Sequence, residues 1–311
     1  MAQRLVKEIE KEIRSGSFRG MSDRARREEL LLTVAREMTS RPNDGGLNYR
    51  GLSLKNMQAR HVEKYVKHGQ ARGLSDRTIE NRMSALRWLA KKTGRPEMVP
   101  TNKALGLRGA EGRIPSSSRA SQPITAAGLS DRVQMCADLS RQFGFRPMES
   151  ALIQPEKAIK VAGERIQIKL ENGKGANGPR CTWCKGGRAR SFAVKSTPQR
   201  LELLDRWKEL TKSTSKGSLI NTEKSRTFRD RMYKELRAAG IEGLHGQRHS
   251  YAQSIYQQLT GLAAPHAGGP GFAGMSAEQK ESAQAAIDEV ARHLGHGEGR
   301  DDVTQTYLGK F

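Results

Sequence analysis

L-H-G-Q-R-H-S-Y-A at Leu244–Ala252, H-L-G-H at His293–His296 and T-Q-T-Y-L-G at Thr304–Gly309 decide how this chain is read. His245 and Arg248 stand three apart, so on a helix they share a face. A helix that begins near His245 also offers its N-terminal end to an anion. Leu244, Tyr251, Ala252, Ile255 and Leu259 form its apolar stripe, and Arg248 falls inside that stripe. A guanidinium buried there is costly unless a carboxylate or a bound phosphate answers it. Gly295 suits a left-handed helix cap, which would fix the direction of His296. Asp301 or Asp302 would cap a last short helix with Val303 and Tyr307 on one side. Taken singly, Tyr307 reads equally well as a core tyrosine.

Working outward, Phe143–Gln154 places Arg146 and Glu149 three apart at a helix start among Met148, Leu152 and Ile153. A functional anion site and a plain Arg146–Glu149 pair are both open there. From Ala158 the pattern changes to period two. I-K-V-A-G-E-R-I-Q-I-K-L predicts a β-hairpin, and R-A-R-S-F-A-V after a Gly-rich basic insertion predicts a third strand. Lys174 and Lys185 lie in the loops of this sheet. Cys181 and Cys184 form a single C-x-x-C, too few ligands for zinc, which reads as two small loop residues. Helices are expected over 126–142, 198–211 and 223–239. Another is expected from a Ser276–Gln279 capping box to His293.

The N-terminal part reads as all helical. Leu5, Ile9 and Ile13 mark a short charged helix over 4–14 with a narrow stripe. Helices follow at about 23–40, 53–68 and 75–92, with a turn at Pro42–Gly46. Arg77, Arg82, Arg87, Lys91 and Lys92 surround the stripe of the last, a basic surface suited to a phosphate backbone. Residues 109–124, rich in Gly, Ser, Pro and Arg, read as a linker. The expected division is a charged helix over 1–19, a helical domain over 20–108, the linker, and a second domain over 125–311.

Composition narrows the partner. Lys and Arg number 55 against 33 Asp and Glu, a formal net charge of +22. That excess, spread along a foldable chain, favours a polyanion, with nucleic acid ahead of an anionic membrane. Aromatics make up only 5%, few for the stacking platforms of a single-strand RNA binder. No apolar run approaches the ~20 residues of a membrane span. The start lacks the apolar core of a signal peptide, and three cysteines make no disulfide framework. A reducing, cytoplasmic setting is expected.

Taken together, H-G-Q-R-H, L-G-H and T-Q-T-Y-L resemble the catalytic signature of the tyrosine recombinases, the phage integrase family. G-F-R-P-M-E-S-A-L is similar to that family's first-arginine box, and K-G-G-R-A-R-S-F-A-V at Lys185–Val194 to its β-hairpin lysine box. Gly73–Leu89 looks like part of its helical DNA clamp. The match runs from about residue 20 to the end, with the boxes in family order. The resemblance implies a mainly α fold with a small antiparallel β-sheet. An all-α DNA-clamp domain would precede an α+β catalytic domain.

The resemblance also implies roles. Arg146 and Arg248 would hold the scissile phosphate, with His245 and His296 donating hydrogen bonds or assisting proton transfer. Lys185 would protonate the leaving 5′ oxygen, with Lys174 as its rival. Lys185 is favoured on the expectation that it leads directly into the strand. Tyr307 would attack phosphorus and form a 3′-phosphotyrosine. Such chemistry uses no cofactor, neither ATP nor metal, because the covalent link conserves the phosphodiester energy. The implied partners are double-stranded DNA, three further copies of the chain on paired sites, and accessory DNA-bending proteins, in a prokaryotic nucleoid. A type IB topoisomerase and an inactive DNA-binding protein of the same fold are the competing readings. The approach from His296 to Tyr307 is longer than the family's usual spacing, and Phe311 follows Tyr307 closely. The helix over 4–14 is therefore expected to supply a contact between protomers.

Overall fold

The computed structural model describes residues 3–16, 21–107, 118–125, 128–175, 178–184, 187–297 and 300–311. Contacts divide the chain into two units, Met1–Glu111 and Gly112–Phe311.

The first unit packs α1 (Gln3–Arg14), α2 (Met21–Thr39), α3 (Ala59–Ala71) and α4 (Asp76–Lys92) around one core. Ser75 starts α4 by accepting a hydrogen bond from the Thr78 amide at 3.3 Å. This is the usual way a hydroxyl satisfies an orphan donor of the first turn. The narrow stripe of α1 is not spare surface. Leu5, Ile9 and Ile13 are fully buried in the unit's own core beside Leu31, Met38 and Leu86. At roughly 2 kcal/mol per buried aliphatic side chain, that burial is worth roughly 6 kcal/mol. Lys92 closes the packing, with its ammonium 3.0 Å from the Glu12 carboxylate. The apolar face of α1 is thus covered within its own unit, which leaves its charged face for any contact between protomers.

Two further readings shift. The helix expected from Ser53 begins only at Ala59. The Asn56 side chain takes the Ser53 amide at 2.7 Å and donates to the Gly51 carbonyl at 3.0 Å, which holds a turn instead. Of the basic residues on α4, Arg82 turns inward to Glu37 at 2.8 Å. Glu37 also accepts from the Tyr65 hydroxyl at 2.8 Å. Arg87 spends its fork on the Pro100 carbonyl and the Asn102 side chain. Arg77 and Lys91 remain exposed.

The second unit is mainly helical with a small antiparallel sheet. α5 (Asp131–Phe143), α6 (Pro147–Leu152) and α7 (Pro155–Ala158) lead into β1 (Ile159–Ala162) and β2 (Arg165–Leu170). A separate ribbon, β3 (Gly173–Gly175) with β4 (Gly178–Arg180), occupies the insertion. β5 (Arg190–Lys195) then returns beside β2, giving the order β1-β2-β5. Ile166, Ile168 and Leu170 alternate inward along β2, and Ile166 and Ile168 pair with Val194 and Phe192 across the strands. α8 (Pro198–Lys212), α9 (Ser225–Ala238), α10 (His245–Thr260), α11 (Ala277–Leu294) and α12 (Asp301–Leu308) complete the unit. The capping box at Ser276 and Gln279 forms in both directions.

Cys181 and Cys184 do lie in a turn between strands. Both are buried in the core of this unit, with Cys184 accepting a long hydrogen bond from Arg190 at 3.6 Å. Among the described residues, no group of three or more metal-ligating side chains comes together. Of the expected linker, residues 109–117 lie outside the described part. Ser121 and Gln122 are tied to α10 instead of forming a tether: Ser121 N donates to Ser250 Oγ at 3.1 Å, and Gln247 Nε2 to Gln122 O at 2.5 Å. No described helix is long and apolar enough to cross a membrane.

Candidate active site

Arg248 is the centre of the site and has no exposed surface. Its place in the apolar face of α10 is made tolerable by three sets of partners. Nη1 donates to the Gly144 carbonyl, and Nη2 donates to the Leu294 carbonyl at 2.6 Å. Those carbonyls sit at the C-terminal ends of α5 and α11. Two helix dipoles thus direct their negative ends at one guanidinium. Glu149 supplies the charge, 3.9 Å away. Burial lowers the Arg248 pKa to about 10, so it remains a cation at neutral pH.

Two glycines make this geometry possible. Gly144 closes α5 at φ +66°, where a β-carbon would lie 2.4 Å from the Tyr251 ring. Gly295 closes α11 at φ +68°, where a β-carbon would lie 2.9 Å from the Arg190 side chain. Both are left-handed helix caps that a side chain would strain.

Glu149 is a single carboxylate among several guanidiniums. It lies 2.6 Å from Arg146 and 2.8 Å from Arg190, besides its contact with Arg248. Pro147 opens α6, and the Arg146 amide donates back to Glu149 at 3.0 Å, so the local turn fixes both partners. Burial alone would raise the Glu149 pKa, but Arg190, Arg146 and Arg248 outweigh it and hold it near 2. The pair seen in the sequence is real, yet it belongs to a larger cluster with surplus positive charge. Such a cluster, partly open at Arg146, is an electrostatic receptor for an anion. Arg190 is a member that sequence reasoning does not single out. Its position in β5 opposite Leu170, on the buried side of a two-residue alternation, is the signal that could have found it.

Tyr307 projects from α12 onto Arg248, with Oη 3.4 Å from Nε and the guanidinium carbon 5.6 Å from the ring centre. Three histidines surround the same ring. His296, His245 and His249 have ring centres 5.1, 5.5 and 4.4 Å from it. His296 Nδ1 pairs with the Thr304 hydroxyl at 3.1 Å, while its buried Nε2 has no hydrogen-bond partner among the described residues. Burial, assisted by Arg248 and Arg146, lowers its pKa to about 3. It is therefore a neutral ring whose polarity follows Thr304: a hydroxyl that donates to Nδ1 leaves the ring proton on Nε2, whereas one that donates to the Arg300 carbonyl, 3.5 Å away, accepts a hydrogen bond from Nδ1. Arg188 fixes the approach to this residue by donating to the His296 and Gly295 carbonyls.

Arg146, His245, Arg248, His296 and Tyr307 are thus brought together. Lys185 lies outside the described residues. Lys174 lies in β3, where its backbone pairs with that of Pro179. The strand that Lys185 is expected to lead into is present as β5, from Arg190. Neither Asp301 nor Asp302 caps α12; Arg300 occupies that position, without a side-chain cap.

The N-terminal part matches a family model described as the phage integrase N-terminal domain over residues 2–99. No curated protein matches the sequence. Among solved structures, the fold resembles that of the XerH site-specific recombinase bound to a palindromic difH substrate in a post-cleavage complex. The TM-score is 0.58 at 17% identity, covering 99% of this chain and 80% of that one. It also resembles the Tn1549 transposon integrase in complex with circular intermediate DNA. There the TM-score is 0.53 at 12% identity, covering 99% of this chain and 96% of that one. Residues 2–99 are thus similar to the phage integrase N-terminal domain, and the chain shares the fold of these two DNA-bound enzymes.

Proposed function

We propose that this protein is a site-specific DNA recombinase, an integrase of a mobile element, that cuts and rejoins double-stranded DNA through a 3′-phosphotyrosine on Tyr307. The observation that carries the reading is the buried Arg248, whose Nε lies 3.4 Å from the Tyr307 hydroxyl inside a cluster with more arginines than carboxylates. A phosphodiester placed there meets Arg146 and Arg248 as fixed cationic forks. Both stabilise the charge that builds on the non-bridging oxygens as Tyr307 Oη, its phenolic proton released to water, attacks phosphorus. His296, kept neutral, donates from Nε2 to one such oxygen, and His245 to another. The bond from phosphorus to the 5′ oxygen breaks, and a lysine supplies the proton that oxygen needs. Lys185 and Lys174 are the two candidates. A 5′ hydroxyl from a second strand then reverses the chemistry on the covalent link. The surplus of basic residues supplies the sequence-independent grip on the DNA backbone. Assembly as a tetramer on paired sites, and help from accessory DNA-bending proteins, belong to the same proposal.

The test is a nicked duplex that carries the protein's own element ends and loses a short fragment once cut, which traps the covalent adduct. Wild type should form a protein–DNA species resistant to denaturant, and Tyr307→Phe should form none while still binding the duplex. Lys174→Ala and Lys185→Ala should differ, the true acid losing cleavage, and a substrate with a 5′-bridging sulfur should rescue it. A wild-type protein that binds but never forms the adduct refutes the reading in favour of a binding-only protein.

A further inference from the structure

We propose that His249 is a positioning residue for the Tyr307 nucleophile, holding its ring by a stack. His249 lies one residue beyond Arg248 on α10 and is almost fully buried. Its ring stacks on that of Tyr307, with centres 4.4 Å apart and planes inclined by 28°. Gln253, one turn further along α10, donates to the Tyr307 carbonyl at 3.0 Å.

Two side chains four residues apart on α10 therefore hold Tyr307, Gln253 by its carbonyl and His249 by its ring. Burial, with His245 and Arg119 nearby, holds the His249 pKa near 3, so the stacked ring stays neutral. The consequence is directional. The stack limits the swing of the phenol, and the Gln253 bond fixes the register of α12. Together they set where Oη lies relative to Arg248.

The proposal rests on Tyr307 as nucleophile, and its test separates the two ideas. His249→Phe keeps a stacking ring, whereas His249→Gln and His249→Ala lose it. On the nicked duplex, single-turnover adduct formation should fall about 10- to 100-fold in His249→Ala and His249→Gln, with recovery in His249→Phe. Affinity for intact duplex should stay within about twofold. Equal rates in all four proteins, with Tyr307→Phe inactive, overturn the positioning role and leave the nucleophile standing. An activity-independent arm uses protein with 13C-labelled tyrosine rings, the Tyr307 signal being identified by its loss in Tyr307→Phe. That signal should move in His249→Ala and move less in His249→Phe. An unmoved signal in His249→Ala overturns the proposal whatever the DNA chemistry shows.

Discussion

Replacing Glu149 by Gln removes the carboxylate that answers Arg146, Arg190 and Arg248 together. A carboxyl held near 2 against an ordinary 4.5 contributes about 3 kcal/mol, at about 1.4 kcal/mol per pH unit. Breaking one partner out of a buried ion pair costs about 3–5 kcal/mol in general, so two separate arguments give the same size. For a unit the size of Gly112–Phe311, about 3 kcal/mol lowers the melting temperature by about 6–12 °C. The depressed carboxyl makes this stability fully present above pH 4.5 and lost as pH falls toward 2. Urea unfolding of wild type and Glu149→Gln should therefore differ most at neutral pH and converge on acidification. A neutral-pH melting temperature within about 2 °C of wild type refutes the counter-charge role. So would a difference that does not shrink below pH 4.5. Adduct formation should fall as well, because Arg146 loses its anchor.

Two further outcomes follow from the same geometry. Ile9→Ala should destabilise the first unit by roughly 2–5 kcal/mol, read as an earlier unfolding transition of that unit in urea, because Ile9 is fully buried in its core. Burial holds His249, His293 and His296 near 3, 4 and 3, below their ordinary 6.5. The unfolded chain therefore takes up protons first, and stability is fully present above pH 6.5. It falls from there toward about pH 4, by up to about 1.4 kcal/mol per pH unit for each histidine. Urea midpoints measured from about pH 7.5 down to about pH 5 check this, and a flat profile contradicts the burial of these rings.

The sequence alone determined what depends on short-range patterning. Helix periodicity, the Ser276 capping box, the Gly295 stop and the alternation along Ile166, Ile168 and Leu170 are local properties, and each has its expected place in the fold. Arg146, beside Glu149, could be satisfied by its neighbour, whereas Arg248, inside an apolar stripe, already required a partner from elsewhere. Which partners answered Arg248 could not be read from neighbours in the chain. The Gly144 and Leu294 carbonyls lie 104 and 46 residues away, and only the packing of α5 and α11 against α10 aims them. The same holds for Arg190 joining Glu149 across 41 residues, and for His249 meeting Tyr307. Conversely, Arg82, Arg87 and the α1 stripe looked available because a sequence shows a side chain's chemistry and not its neighbours. Tertiary structure decided those cases, since a buried charge or apolar face must be satisfied by whatever the fold brings beside it.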